Sequence, residues 1–385
     1  MSARKRIVLL SPMFLDVLHF RLPLLKALRE KGYETTVAAA PDEGEAKVAA
    51  EGIECRRLYY ERGGMNPLQE VRVIYSIYRL YNVIKPDIAI NYSVKLNIYG
   101  AIAARFAKVP VINVVSGLGY IFVRDTLASR VGRALLRFSL RYAAKIIALN
   151  PDDAHQLVAE GFADPRKLIQ INGEGVDTVY FSESFCVNTK KDPSKFVFLL
   201  IARMLYDKGV LEFVEAASRI VATDSSVQFW LLGPLDAQIP SAISAEQLKK
   251  WERRGIVRYL GVTDDVRPFI CKSDCVVLPS YLREGMPRVL LEAASMQKPI
   301  ITTDVPGCRQ IVQDGVNGFL VKPRDPESLA NAMRRMVGLP EEKRVEMGKR
   351  GRELVLSEFS NEKVMTKFLN VIEEVLSGCP VYDPM

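Results

Sequence analysis

Two series of short apolar runs, each run separated from the next by an amphipathic stretch, constrain this chain more than any other feature. The first series reads RIVLL (6–10), ETTVAAA (34–40), DIAINY (87–92), VPVINVV (109–115) and KIIALN (145–150). Helical segments such as FRLPLLKALREKGY (20–33) and LNIYGAIAARFAK (96–108) lie between them. That alternation is the pattern of a parallel sheet covered by helices on its faces. It pauses at NGEGVDTVYFSESFCVNTKKDPSK (172–195), which is Gly-rich, then polar, and aperiodic. A second series follows: FVFLLIA, VQFWLLG, IVRYLG, CVVLPS, PIITTD and GFLV. At 385 residues the chain exceeds what one core usually organises. The pattern therefore predicts an α/β protein of two tandem, doubly wound, Rossmann-like domains. The domains are placed at 1–175 and 176–360, with a C-terminal helix and tail (361–385) returning to the first. The expected ligand site is the cleft between them, at the carboxyl ends of the strands.

Composition narrows the class. Apolar residues make up 49% and charged residues 25%, a balance ordinary for globular proteins. No uninterrupted apolar window approaches the length of a membrane span. The N-terminal MSARKRIVLLSPM has an apolar core of only Ile7–Leu10, shorter than a signal peptide requires. The six cysteines (55, 186, 271, 275, 308 and 379) form no CxxC pair, and only His19 and His155 accompany them. No zinc site is expected, and buried thiols in a reducing cytoplasm are. Residues 1–175 hold 25 Lys and Arg against 17 Asp and Glu, whereas the rest hold 28 against 28. The whole net charge of +8 thus belongs to the first half.

Two stretches in the second half carry chemistry. In REGMPRVLLE (283–292), Glu284 falls in the loop after the CVVLPS strand, and a helix is predicted to begin near Pro287. Glu292 then lies in its second turn, leaning back toward the strand ends. Gly285, Met286, Pro287 and the first-turn N–H groups between the two carboxylates make an anion site. A ligand with an anionic middle and a hydroxylated group on each side suits this arrangement, and a nucleoside diphosphate sugar is such a ligand. Spacing alone is equally compatible with ordinary loop and helix-surface glutamates. The second stretch, LLIARMLYDKGVLEFVEAA (199–217), takes a strand into a loop carrying Arg203 and Lys208, then into a helix after Gly209. Two cations at a strand's carboxyl end suit a diphosphate.

These residues also carry a resemblance. ARMLYDKG, LLGPLD, VRYLGVTDDV, LPSYLREGMPRVLLEAASMQKPIITTDVPGCRQIV and DGVNGFLV resemble the family 4 glycosyltransferases of the two-Rossmann-domain (GT-B) class. The resemblance implies that Arg203 and Lys208 bind the donor diphosphate, that Glu292 binds the ribose, and that Glu284 lies beside the transferred sugar. It places the nucleobase around Leu260, Gly261 and Val262. In the first half, HFRLPLLKALREKGYE, VKLNIYGAIAARFAKVPVIN and SGLGYIF (116–122) resemble bacterial enzymes that extend polyprenyl-diphosphate-linked sugars. This implies a UDP-sugar donor, an N-acetylhexosamine (N-acetylgalactosamine foremost) as the transferred sugar, and a lipid-linked saccharide as acceptor. His19, Gly117 and Gly119 become candidate substrate contacts. The loop SPMFLDVLHF lacks the Gly-Gly pair of many family members, so His19 is placed toward the acceptor, although a packing role fits it as well.

The resemblance implies retention of anomeric configuration, with Arg203, Lys208 and Glu284 as the catalytic set and no protein nucleophile. No DxD motif is present, so neither a divalent metal nor a cofactor is expected. Finally, Arg130, Arg133, Arg137, Arg141 and Lys145 fall on one face of a predicted helix over 126–146, capped by Asp125 or Thr126. Leu127, Val131, Leu135, Phe138 and Tyr142 fall beside them. A basic stripe next to an apolar one suits an anionic membrane surface and so a cytoplasmic, peripheral enzyme; a solvated face on a packed helix gives the same pattern. No aromatic-and-basic motif supports nucleic-acid binding. A nucleotide-sugar 2-epimerase of the same architecture and a non-catalytic nucleotide-sugar-binding protein are the alternatives.

Overall fold

The computed structural model describes all residues except 1–3, 60–66, 119, 124–125, 188, 237–238, 240 and 379–385. The chain forms two compact units. One comprises residues up to Gly175 together with the segment from Asn361 onward, and the other comprises Val176–Ser360.

The first unit contains β1 (Arg6–Met13), β2 (Glu34–Ala40), β3 (Glu54–Arg57), β4 (Ile88–Tyr92), β5 (Val111–Val115), β6 (Lys145–Ala148) and β7 (Leu168–Gln170). Their order is β3-β2-β1-β4-β5-β6-β7, all parallel. β4 and β5 are buried along their whole length because helices cover both faces, which is why they read as unbroken apolar runs. Ile88, Ile90 and Tyr92 face one cluster, which the C-terminal helix Asn361–Leu376 completes with Val364, Met365, Phe368, Val371 and Ile372. Ala89 faces the other, against helices Pro67–Ile84 and Val94–Ala107. That second face holds two buried amides in register, Asn91 Nδ2 donating to Asn113 Oδ1 at 2.9 Å. β3 (ECRR) is a polar, exposed edge and β7 has three residues, so neither carries an apolar run.

The helix predicted over 126–146 spans Leu127–Tyr142, and Thr126 caps it by accepting from the Ser129 N–H. Asp125 lies outside the described residues. Lys145 does not continue the basic stripe: it sits on β6, buried, with its ammonium 2.6 Å from Glu374. Ser129, Leu136, Ser139 and Leu140 form the packed face. Leu127, Val131, Leu135 and Phe138 are 79%, 51%, 39% and 46% exposed, whereas Tyr142 is half-buried under the Arg105 guanidinium. No helix among the described residues is long and apolar enough to cross a membrane.

The second unit contains β8 (Phe196–Ile201), β9 (Val227–Leu232), β10 (Arg258–Tyr259), β11 (Cys275–Leu278), β12 (Ile300–Thr303) and β13 (Gly318–Val321). Its order, β10-β9-β8-β11-β12-β13, reverses direction between β8 and β11, the switch point where doubly wound sheets bind ligands. The segment just inside this unit, read from sequence as linker, is fastened to it. Arg267 lies between the rings of Tyr180 and Phe185, 3.5 and 4.2 Å from their centroids. Ser295 donates to the Phe181 carbonyl at 2.5 Å, and Arg352 pairs with Glu183 at 3.2 Å. Cys186 is bonded to Cys271. This corrects the expectation of uniformly free thiols: the 3₁₀ turn Glu183–Cys186 packs on the helix Arg267–Lys272, which brings together cysteines 85 positions apart. Cys55, Cys275 and Cys308 are free.

Peptide mapping after alkylation of denatured, unreduced protein should leave Cys186 and Cys271 unlabelled and Cys55, Cys275 and Cys308 labelled. Reduction should lower the stability of the second unit by roughly 2–4 kcal/mol. Full labelling of Cys186 before reduction contradicts the pairing.

Candidate active site

The loop after β8 is pinned before it presents its cations. Met204 and Leu205 are buried in the core, and Arg203 beside them is exposed. The chain then makes the short turn Tyr206–Lys208 and reaches Gly209 at φ +74°, where the helix Val210–Val221 begins. A β-carbon at Gly209 would fall 2.1 Å from the Pro279 carbonyl, so only glycine lets this loop approach the end of β11 so closely. Hydrogen bonds then lace the two loops together. Tyr281 N–H donates to the Asp207 carbonyl at 3.2 Å, and Ser280 Oγ lies 3.1 Å from the same oxygen. Ser241 Oγ donates to the Asp207 carboxylate at 3.2 Å.

Against this frame Lys208 Nζ lies 2.6 Å from Glu284 Oε1, an oxygen that also accepts from Ser280 Oγ at 2.6 Å. From the other side, the Glu284 N–H donates to the Pro306 carbonyl at 3.1 Å. Gly307 keeps that contact close, since a β-carbon there would fall 2.3 Å from the Glu284 carbonyl. Burial pushes the Glu284 carboxyl up, but the Lys208 ammonium, the Ser280 hydroxyl and the Arg203 charge outweigh it and hold the group below its ordinary value. Arg203, Lys208 and Glu284 thus form one electrostatic cluster.

The helix expected from Pro287 starts one residue later, at Arg288, with Pro287 as its cap. Gly285, Met286 and Pro287 lead into it, and Met286 packs on a core cluster of this unit. Glu292 lies one turn into the helix and is paired i to i+4 with Arg288, Nε to Oε1 3.1 Å. Here burial prevails over Arg288, and the carboxyl is pushed up. The two glutamates therefore differ in electrostatic state: Glu284 is held as an anion by lysine, while Glu292 gives up its proton less readily.

Leu260, Gly261 and Val262 follow β10 at the same edge. Gly233 N–H donates to the Gly261 carbonyl at 2.8 Å, and Tyr259 Oη donates to the Gly233 carbonyl at 2.8 Å. A β-carbon at Gly233 would meet the Ala202 carbonyl at 2.0 Å, so the ends of β8, β9 and β10 are drawn together beside Arg203. Val262 is exposed and Leu260 half-buried. His19 and Gly117 belong to the first unit: His19 is exposed on the turn Val17–Arg21, and Gly117 follows β5 at φ +128°. Gly119 lies outside the described residues. Sequence reading missed Asp207, Ser280 and Tyr281, whose contribution is to lock the two loops. It also missed Arg288, although the Arg288–Glu292 spacing signals an i,i+4 pair.

The chain resembles known proteins along most of its length. A profile of glycosyl transferases group 1 matches residues 195–338, and one of glycosyl transferase 4-like domains matches 6–150. The N,N'-diacetylbacillosaminyl-diphospho-undecaprenol alpha-1,3-N-acetylgalactosaminyltransferase of Campylobacter jejuni is 28% identical, over 84% of this chain and 87% of its own. The UDP-Gal:alpha-D-GlcNAc-diphosphoundecaprenol alpha-1,3-galactosyltransferase of Escherichia coli is 29% identical, over 70% and 71%. Among solved structures, Anabaena HepE in complex with UDP superposes with a TM-score of 0.77, at 16% identity over 96% of this chain and all of that one.

Replacing Lys208 with Met should expose the electrostatics. In the wild type the lowered Glu284 value contributes stability above the unfolded value, about pH 4.3, and that contribution is lost as pH falls through the folded value. Without the ammonium, burial raises Glu284, so the variant loses stability as pH rises toward neutral. The gap in unfolding free energy between the two proteins should widen from near zero at low pH to roughly 1–3 kcal/mol at neutral pH. A gap that stays constant across urea titrations at each pH would refute the coupling.

Proposed function

We propose that this chain, which belongs to the glycosyltransferases that join a 4-like N-terminal domain to a group 1 C-terminal domain in the GT-B fold, moves an N-acetylhexosamine from a UDP-sugar onto a polyprenyl-diphosphate-linked saccharide with retention of configuration. N-acetylgalactosamine is the sugar favoured. The observation that carries the reading is the cluster of Arg203, Lys208 and Glu284 at the switch point, immediately before the helix Arg288–Ser295. Two relatives named for diphospho-undecaprenol substrates support the acceptor class, and one named for UDP-Gal supports the donor class.

In this reading the donor diphosphate takes Lys208 from Glu284, and Arg203 and the helix start share its charge. Glu292 holds the ribose hydroxyls, and Leu260–Val262 receive the uracil. His19 and Gly117 serve the acceptor. The acceptor hydroxyl attacks the anomeric carbon from the face that the diphosphate leaves, and a departing phosphate oxygen takes its proton. The products are the extended lipid-linked saccharide and UDP. Stabilising charge on the leaving diphosphate is then the protein's main task, which preorganised cations perform without a bound divalent metal. Glu284, parted from Lys208, then accepts hydrogen bonds from the sugar.

Association with an anionic membrane belongs to the same proposal. Four large apolar side chains of helix Leu127–Tyr142 point away from its packed face, with Arg130 and Arg141 among them exposed. Arg133 and Arg137 also donate to the carbonyls of Ile121 and Glu160. The membrane contact therefore rests more on the apolar residues than on a stripe of five free cations.

Incubation with radiolabelled UDP-sugars and extracted lipid should move label into the organic phase, and chelator should leave most of that activity. Arg203→Ala and Lys208→Ala should each cost about 3–4 kcal/mol of transition-state stabilisation. An altered free nucleotide sugar would identify an epimerase instead, and unaltered nucleotide sugar with no transfer would identify a binding protein.

Combined replacement of Leu127, Val131, Leu135 and Phe138 by Ser should abolish sedimentation with anionic liposomes, because each such side chain is worth roughly 1.5–3 kcal/mol when fully removed from water. Transfer to a short water-soluble acceptor should survive. Liposome binding equal to wild type would make this a solvated face.

A further inference from the structure

A cavity of about 510 Å³ opens in the second unit among the residues that precede β8, β9, β11 and β12. These are the amino ends of the strands, whereas Arg203, Lys208 and Glu284 follow carboxyl ends. The cavity therefore lies at the opposite edge of the sheet. Its size suits a small ligand. Its charged lining consists of Lys191, Lys195, Lys298 and Arg344 against Asp274 and Glu341. Two of these charges cancel directly, because the Lys191 ammonium is paired with Asp274. Asp274 is further occupied by accepting from the Val197 N–H at 2.8 Å.

Lys298 is the unusual member. Its ammonium donates to two carbonyls, those of Cys271 at 3.0 Å and Ser273 at 2.8 Å, which leaves the third of its three donors for the cavity it lines. Burial pushes it down to about 8, with Asp274 opposing and Lys191 adding to the shift. A buried lysine stays cationic more readily when an anion is supplied beside it. Lys195 and Arg344 supply further donors at the rim, and Arg344 is steadied over the Phe196 ring, 5.2 Å from its centroid.

We propose that this cavity binds a phosphate group, free or esterified to a small molecule, held by Lys195, Lys298 and Arg344. The inference does not depend on the donor reading, because it uses other residues at the other edge of the sheet. An occupant here adjoins Gln297 and Lys298, the loop that ends the helix bearing Glu292.

The test uses the full chain carrying Arg203→Ala and Lys208→Ala, which removes the donor-site cations. Calorimetric titration with sodium sulfate, at ionic strength held constant with chloride, should show saturable one-site binding. Sulfate is chosen because it remains a dianion through the neutral and alkaline range. Adding Lys195→Gln or Arg344→Gln should weaken binding by at least about tenfold. Affinity should also fall as pH rises through about 8, where Lys298 loses its charge. Inorganic phosphate and glucose 1-phosphate are then used as competitors. Displacement by the first alone identifies a free phosphate site, and stronger displacement by the second identifies an esterified one. Sulfate heats that do not saturate, binding unmoved by both substitutions in folded protein, or displacement by neither competitor would overturn the proposal.

Discussion

The candidate donor site depends on one close approach of two backbones, where Gly209 passes the Pro279 carbonyl with no room for a side chain. That approach brings the loop after β8 against the loop after β11 and sets Lys208 beside Glu284. The hydrogen bonds from Tyr281 to Asp207, through its N–H and its hydroxyl, hold the two loops once they have met. Without the approach, Lys208 and Glu284 are a lysine and a glutamate 76 positions apart in separate loops. With it, they are one ion pair. Both partners of that pair are thus held by contacts within the second unit.

Much of this was legible in the sequence. Eleven of the thirteen strands among the described residues announce themselves as apolar runs between helical stretches, because strands buried on both faces must be apolar along their length. β3 and β7 could not be read this way, one being a polar edge and the other three residues long. β10 keeps only Arg258–Tyr259 of the run IVRYLG as strand. Arg203, Lys208, Glu284 and Glu292 were singled out as candidates because their residue types and their places after strands or in the helix that follows limit the chemistry. Asp207, Ser280 and Tyr281 escaped because their roles depend on contacts between loops distant in sequence. The Cys186–Cys271 bond escaped for the same reason, since spacing gives no hint of which helix a cysteine will face. Lys145 shows the converse error: a helical period was carried past Tyr142 into a buried strand, where Lys145 meets Glu374.

The first unit repeats the logic of switch-point construction with different contents. Arg21 is buried at the carboxyl end of its sheet, 4.2 Å from the Tyr92 ring centroid and 3.4 Å from Glu174. Glu174 belongs to the glycine-rich loop after β7, so this pair ties the end of the sheet to the segment that leaves the unit. On the sheet face covered by helices Pro67–Ile84 and Val94–Ala107, Asn91 Nδ2 donates to Asn113 Oδ1 across neighbouring strands. Such buried polar pairs specify register, because a slip by one residue would strand an amide in apolar surroundings.

The second unit is an insertion: the chain enters it at Val176 and leaves at Ser360, where the Val176 N–H reaches the Phe359 carbonyl at 2.9 Å. The first unit is therefore interrupted, and its helix Asn361–Leu376 is made only after the second unit. On the ribosome, Ile7, Leu9, Val37 and their neighbours emerge early, but Phe368 and Ile372, which cover them, arrive only after the whole second unit has been synthesised. At ordinary elongation rates of about 5–20 residues per second, that interval lasts on the order of ten seconds or more. The N-terminal half passes that time without the part of its core that helix Asn361–Leu376 supplies.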